Sequence, residues 1–353
     1  MKILHVITSL STGGAEHLMV DLLPKLRDFG NDVDLLLFDG RRTSFYKELE
    51  KKGITIYSLG IGGNVYHPRN IFKLIKHIGK YDIIHSHNTA CQLYVPIAKI
   101  LSLSKTKLVT TEHNATNRRR KKWYLKPGDK WMYSRYSHII CIADQTYKNL
   151  IDYIGNRSNV STIYNGVDVG RFLNPIKNIS NNDGFIVTMI AAFREQKDQD
   201  TLIRAFSELP NNYSLRIVGD GPRKTNLVKI VDELNISDRV NFMGIRTDIP
   251  DLLRESDINV LSSHWEGLSL SSIEGMASGR PFVASDVDGL REMVEDAGVL
   301  FPHGNYHQLA SEIKRLCENP RYYKDIAESC QKRAKQFDIS LMAQKYNELY
   351  QSL

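Results

Sequence analysis

The chain has 353 residues, 42% of them apolar and 25% charged, which suits two domains of ordinary size, each with its own core. Its four cysteines, Cys91, Cys141, Cys317 and Cys330, stand at no metal-ligand spacing, and this argues against a zinc site and against a disulfide framework. The net charge of +7 is local: between Asn117 and Tyr136 eight basic residues accompany one acid, Asp129, and the remainder of the chain balances.

Short β-branched runs alternate with helical patterns from the start. In the first half, strands are predicted over residues 3–7, 33–38, 54–59, 83–85, 107–111, 139–142 and 160–164, with helices between them such as 15–29 and 71–78. The first run is too short for a secretory signal, and no stretch approaches the length of a membrane span, so a cytoplasmic protein is expected. Residues 170–183 carry turn chemistry and read as a linker. Strands then follow over 185–190, 214–218, 240–242, 258–261 and 281–284, and helices over 200–209, 225–234, 271–277 and 306–318. Residues 341–353 form one more amphipathic helix. Continuous apolar strands alternating with helices predict parallel sheets covered on both faces. The expected architecture is two doubly wound Rossmann-like α/β domains, whose ligands bind beyond the carboxyl ends of the strands. The cleft between the two is the expected site.

Several segments carry chemistry. Gly13-Gly14 opens the first helix, where free N–H groups suit an anion, although an ordinary tight turn explains the pair equally well. His85 and His87 end one strand, and His113 follows the next. His85 suits a core position, whereas His113 lies in a polar loop. Arg194 and Lys197 precede a helix and supply the fork and point charge that a diphosphate needs; two solvated charges are the alternative. The richest segment runs from Ser262 to Pro281. Glu266 and Gly267 lie on its loop, the amides of Leu270 and Ser271 are free at a helix start, and Glu274 lies one turn further on. Ser271-x-x-Glu274 also fits a capping box, which competes for the same carboxylate. Asp286-Val287-Asp288 is a short Asp-x-Asp in turn chemistry, weak as a metal motif.

In order and spacing these motifs resemble glycosyltransferase family 4, retaining enzymes of the GT-B fold. The resemblance runs through Gly-Gly-Ala-Glu, His-x-His, Thr-x-His, Tyr164-Asn165-Gly166-Val167-Asp168, Arg194 with Lys197, Gly219-Asp220-Gly221-Pro222, Phe242-Met243-Gly244, and Glu266 with Glu274, then Met276-Ala277-x-Gly279-x-Pro281. It covers essentially the whole chain. It implies an acceptor-binding domain over 1–170 joined by a C-terminal helix at 339–353 that crosses back to it, and a nucleotide-sugar domain over 171–338. It implies transfer of a sugar from a UDP- or GDP-sugar to a glycan or lipid-linked acceptor, with no cofactor and no required metal. Gly14 would lie near the diphosphate, and Arg194 and Lys197 would neutralise it as it leaves. Glu274 would hold the ribose, Glu266 the transferred sugar, and the amides after Gly267, at Leu270 and Ser271, the phosphate. Gly244, Ile245 and Arg246 would read the base, and His113 would lie by the reacting sugar. One departure stands out: Asp288-Gly289 replaces the Gly-Gly frequent in the family.

The basic segment adds a surface expectation. Arg118, Arg119, Arg120, Lys121, Lys122 and Trp123, with the aromatics that follow, suit the acceptor side or an anionic membrane surface, which would place the enzyme peripherally on the inner face of the cell membrane. A solvated helix with its aromatics in the core is the alternative. An epimerase or phosphorylase of the same fold fits the separate Arg/Lys and Glu/Glu motifs less well than transfer does. The neutral remainder argues against a nucleic-acid-binding protein.

Overall fold

A computed structural model describes residues 1–11, 13–113, 118–179 and 184–353, with the side chains of Arg118 and Lys121 also outside the description. The chain divides into two compact units, Met1–Gly166 with Ile339–Leu353, and Val167–Asp338.

The first unit is built on seven parallel strands: β1 (Lys2–Ile7), β2 (Asp32–Leu37), β3 (Thr55–Ser58), β4 (Ile83–His87), β5 (Lys107–Glu112), β6 (His138–Cys141) and β7 (Val160–Thr162). Their order is β3-β2-β1-β4-β5-β6-β7. The chain therefore winds outward from β1 in one direction, then returns and winds the other way from β4. Strand side chains alternate between faces, and both faces are covered, so β1 and β4 are buried almost throughout. Ile3, Ile7, Leu35, Leu37, Ile83 and Val109 share one core with helix Gly14–Asp28 and the C-terminal helix Ile339–Ser352, which inserts Tyr346 and Tyr350. Asn31 donates to Asn347 Oδ1 at 2.9 Å and ties that last helix to the β2 side. Leu4, Val6, Leu36, Ile84 and Leu108 form the opposite core with helix Thr89–Ser102.

The second unit repeats the plan with six parallel strands: β8 (Phe185–Ile190), β9 (Tyr213–Val218), β10 (Val240–Gly244), β11 (Ile258–Leu261), β12 (Phe282–Ser285) and β13 (Val299–Phe301). The order is β10-β9-β8-β11-β12-β13. The sixth strand, β13, goes beyond the five read from the sequence. The segment expected as a linker is not free. Lys177 Nζ lies 2.6 Å from Asp257 Oδ1, Arg280 donates to the Pro175 carbonyl at 3.0 Å, and Gln331 donates to that of Asn174 at 2.7 Å, so residues 174–177 are fastened to the second unit. Residues 180–183 of it lie outside the described residues. Among the described residues no helix is long and apolar enough to cross a membrane.

Candidate active site

In a doubly wound sheet the strand order reverses between two central strands, and the loops leaving their carboxyl ends diverge to leave a crevice. In the second unit those strands are β8 and β11. The loop after β8 carries Arg194 and Lys197; the loop after β11 carries Glu266. Two segments far apart in sequence therefore meet. Lys197 Nζ lies 2.5 Å from Glu266 Oε1, and the two side chains are only 18% and 7% exposed. Ser263 donates to the same carboxylate oxygen at 2.6 Å. The loops are also joined through their backbones: the His264 amide donates to the Gln196 carbonyl at 2.8 Å, and Gln196 Nε2 to that of Trp265 at 2.8 Å. Arg194, by contrast, is exposed. It heads the short turn Glu195–Lys197, which Asp198 ends in the left-handed region at φ +46 before capping helix Gln199–Ser207 with its own carboxylate.

The turn after β12 reinforces the Glu266 loop. Gly289 has φ +82, and a Cβ there would stand 2.1 Å from the Gly267 carbonyl oxygen and 2.5 Å from that of Glu266. Only glycine permits this approach. Asp288, the acid that departs from the Gly-Gly pattern, is exposed, and its carbonyl accepts from the Glu266 amide at 3.4 Å. The position that cannot change is thus the second of the pair, which this chain keeps as glycine. Asp286 pairs with Arg291 at 2.5 Å.

Helix Leu270–Ala277 begins one residue earlier than predicted, with Ser269 as its N-cap. This corrects the capping-box alternative. Ser271 is the second helical residue, so Glu274 falls two positions beyond the place from which a capping carboxylate reaches back. Glu274 is buried all the same, on the first turn-and-a-half of the helix, as is Glu266 on the loop before it. The amides of Leu270 and Ser271 stand at the helix start, where free N–H groups and the positive end of the dipole collect. The rest of this motif is structural. A Cβ on Gly275 would meet the Phe282 ring at 2.8 Å, so the glycine lets the helix lie close on the sheet. Arg280 is buried and donates to the carbonyls of Ser256, Pro175, Gly279 and Arg254.

The loop after β9 packs on the loop after β8: a Cβ on Gly219 would stand 2.1 Å from the Ala191 carbonyl oxygen, and one on Gly221 2.5 Å from that of Phe193. The Gly-Asp-Gly motif therefore shapes the loop that carries Arg194. Beyond β10, Gly244 turns at φ +67 and leaves Ile245 72% exposed, while Arg246 forks onto Asp248 at 2.8 and 2.5 Å.

The first unit gathers histidines at its own reversal point, between β1 and β4. His5, which the sequence reading did not single out, sits beside His85 in register. His5 Nδ1 lies 3.0 Å from His87 Nε2, and His87 Nδ1 lies 2.9 Å from His113 Nε2. His85 is fully buried, between the Tyr350 hydroxyl at 2.5 Å and Thr111 Oγ1 at 2.8 Å. Burial lowers all four: His5 to about 3, His113 to about 4, and His85 and His87 well below the usual range. They are neutral at pH 7. Gly14 opens the first helix beside Glu16, whose carboxyl is pushed up by burial. Among the described residues, donor atoms that could hold a metal cluster in two places, His5–His85–His87 and Asp198–His264–His303; neither includes Asp286 or Asp288.

The basic segment is not one continuous charged face. Arg120 lies 2.7 Å from the buried Glu112, and Arg119 pairs with the buried Asp129. Glu112 also accepts from Tyr133 and Gln92, at 2.7 and 2.5 Å, and Tyr153 donates to Asp129 at 2.9 Å. These two arginines brace the unit rather than face outward. Met132, Tyr133 and Tyr136 belong to the core. What remains outward, among the basic and aromatic residues described, is Lys122, Trp123 at 84% exposure, Tyr124, Lys126, Lys130, Trp131 and Arg135. The side chains of Arg118 and Lys121 lie outside the described residues, as do residues 114–117.

Residues 12–171 match the family described as Glycosyltransferase Family 4, and residues 171–336 match Glycosyl transferases group 1. The chain belongs to glycosyltransferase family 4. It is a glycosyltransferase, of the hexosyltransferase type, and its two Rossmann-like sheets match the GT-B fold. It is 27% identical over 326 residues to the lipopolysaccharide core biosynthesis glycosyltransferase LpsD of Rhizobium meliloti, covering 91% of this chain and 89% of that protein. It is 25% identical over 303 residues to the UDP-Gal:alpha-D-GlcNAc-diphosphoundecaprenol alpha-1,3-galactosyltransferase of Escherichia coli, covering 80% and 78%. The crystal structure of HepE of Anabaena in complex with UDP-glucose superposes with a TM-score of 0.86 over all of both chains, at 25% identity. Relatives of this glycosyltransferase thus act on lipid-linked or polysaccharide substrates.

Proposed function

We propose that this glycosyltransferase takes its sugar from a UDP-sugar and passes it to a lipid-linked glycan, with retention at the anomeric carbon and without a metal ion. The observation that carries the donor reading is the meeting of Lys197, on the loop that also bears Arg194, with Glu266 at the reversal point of the second sheet. Cleaving a sugar–phosphate bond leaves negative charge on the diphosphate and positive character on the sugar. Cations and a helix N-terminus fixed beside the leaving group stabilise the first. Arg194 and Lys197 take that role here, with the amides of Leu270 and Ser271. Glu266 faces the sugar and Glu274 the ribose. Gly244, Ile245 and Arg246 contact the base, Gly14 the diphosphate and His113 the reacting sugar. HepE, which binds UDP-glucose, and the galactosyltransferase of Escherichia coli, whose acceptor is a diphosphoundecaprenol glycan, support the choice of uracil and of a lipid carrier.

The exposed Lys122, Trp123, Tyr124, Lys126 and Lys130 give the first unit a surface on which rings and charges meet an anionic bilayer together. The test of the donor reading is a thermal-shift series with UDP, GDP, ADP and their glucose conjugates, with and without chelator. A nucleotide present at a hundred times its Kd stabilises by about 2.7 kcal/mol. UDP compounds are expected to raise Tm in both conditions. A shift confined to GDP or ADP, or one that vanishes with chelator, overturns the base or the metal-free reading respectively.

A further inference from the structure

The interior of a parallel sheet is normally apolar, yet one face of β1 and β4 carries His5, His85 and His87, all fully buried beneath the C-terminal helix. Every buried polar atom there needs a partner, and the partners form a file. Tyr350 on the C-terminal helix reaches His85 Nδ1 at 2.5 Å and His5 Nε2 at 3.5 Å. His5 Nδ1 meets His87 Nε2, and His87 Nδ1 meets His113 Nε2. The file climbs from the middle of the sheet to the carboxyl end of β5, where His113 follows Glu112.

A neutral imidazole has one N–H and one bare nitrogen. Two bare nitrogens, or two N–H groups, cannot face each other at 3.0 Å. The proton position on one ring therefore dictates that on the next. Tyr350 sets the direction. Its single proton goes either to His85 or to His5, and O–H donors make shorter hydrogen bonds than N–H donors. The 2.5 Å contact is the O–H bond, donated to His85 Nδ1; His85 then donates from Nε2 to Thr111 Oγ1 at 2.8 Å. With its proton committed, the Tyr350 oxygen accepts from His5 Nε2. His5 Nδ1 is then bare and accepts from His87 Nε2, and His87 Nδ1 is bare and accepts from His113 Nε2.

We propose that Tyr350, His5 and His87 are positioning residues that hold His113 as its Nε2-protonated tautomer, so that His113 Nδ1 presents a lone pair to a substrate hydroxyl. The inference rests on the reading that His113 lies at the reacting sugar. A lone pair at this atom accepts a hydrogen bond from a hydroxyl of the donor sugar or the incoming acceptor. An N–H at the same place would repel that hydroxyl's proton. The low basicity of all four rings keeps the file neutral, without which the ordering would not hold.

The experiment is a two-bond proton–nitrogen correlation spectrum of the full chain, with 15N-labelled histidine at pH 7 and the His113 signal assigned by His113→Gln. The expected wild-type result is a proton on His113 Nε2 and a bare Nδ1. Tyr350→Phe keeps the ring and removes only the hydroxyl. It should give His113 a mixture of tautomers and lower kcat by roughly three- to tenfold, with the donor KM changed by less than about twofold. A wild-type His113 protonated on Nδ1 overturns the proposal, and that measurement stands even if Tyr350→Phe fails to fold. Unchanged tautomers in a folded Tyr350→Phe also overturn it. Wild-type turnover by His113→Ala alongside the expected tautomer would overturn the placing of His113 at the substrate instead, so the two failures are distinguishable.

Discussion

From the sequence Arg194 and Lys197, a fork and a point charge, share one task at the diphosphate, and replacing either should weaken turnover. The structure separates them. Lys197 is nearly enclosed against the buried Glu266, whereas Arg194 is exposed. Removing one partner of a buried ion pair costs about 3–5 kcal/mol, because the other charge stays behind unpaired. Here Ser263 still donates to Glu266 at 2.6 Å, and the Lys197 side chain retains some contact with water, so the cost falls just below that range, at about 2–3 kcal/mol. For a unit of this size each kcal/mol lowers Tm by roughly 2–4 °C, so Lys197→Ala should melt about 5–10 °C below wild type. Arg194→Ala should melt with wild type. Both should lose about ten- to a hundredfold in turnover, the cost of one charge-assisted contact to the departing diphosphate. Replacing both partners, as Lys197→Met with Glu266→Gln, should recover much of the stability and none of the activity. Scanning calorimetry and steady-state transfer assays on the four proteins check this. A Lys197→Ala protein that melts within about 1 °C of wild type would refute the argument that Lys197 holds Glu266 in place.

The buried neutral histidines make the first unit acid-sensitive. Their folded pKa values lie below the unfolded value, so the unfolded chain binds more protons as pH falls; the stability is complete above about pH 6.5 and is lost towards the values of about 4 for His113 and 3 for His5, at up to about 1.4 kcal/mol per pH unit for each ring. Calorimetry at pH 7.5 and 5.5 should show a marked fall in Tm, and equal values would contradict the neutral assignment. Gly289→Ala places a methyl against the Glu266 and Gly267 carbonyls in a left-handed turn, and should abolish donor binding by titration calorimetry and cost more than about 2 kcal/mol. Glu274→Gln should weaken UDP binding by about tenfold with little change in Tm; a drop in stability with affinity preserved would make this carboxylate structural. Changing Lys122, Trp123, Tyr124 and Lys126 to Ser should reduce salt-sensitive sedimentation with anionic liposomes, and equal partitioning of variant and wild type would remove the membrane-facing role of that surface.

The strands were legible because burial on both faces writes them as unbroken apolar runs; 185–190 and 258–261 coincide with β8 and β11. The strand that escaped, β13, has three residues and no room for a pattern. Helix Pro320–Ala334, not singled out either, is dominated by charged and polar side chains and shows its apolar stripe only through Tyr323, Ala327, Cys330 and Ala334. The site was legible as a set of residues but not as an arrangement. Lys197 and Glu266 are 69 positions apart, and nothing local says that they share a proton-tight contact. His5 was invisible for a different reason. One histidine in an apolar strand carries no signal until the register with β4 puts it beside His85. The basic run misled in part because a charge count cannot see Glu112, which lies outside the run and draws Arg120 inward.

The route of the backbone has a consequence for how the protein is made. The helix Ile339–Ser352 completes a unit whose strands end at Thr162, and the whole of the second unit is threaded between the two. On a ribosome, domains finished early fold early. This molecule inverts that order. Its first unit must wait, with the core it builds on helix Gly14–Asp28 incomplete, until Tyr346 and Tyr350 arrive. The intervening half is a compact unit of its own, continuous from Val167 to Asp338, and can be complete beforehand. A stalled or clipped chain would therefore carry a finished second unit on an unfinished first one, and the damage from a cut within helix Ile339–Ser352 would be felt around β1 and helix Gly14–Asp28.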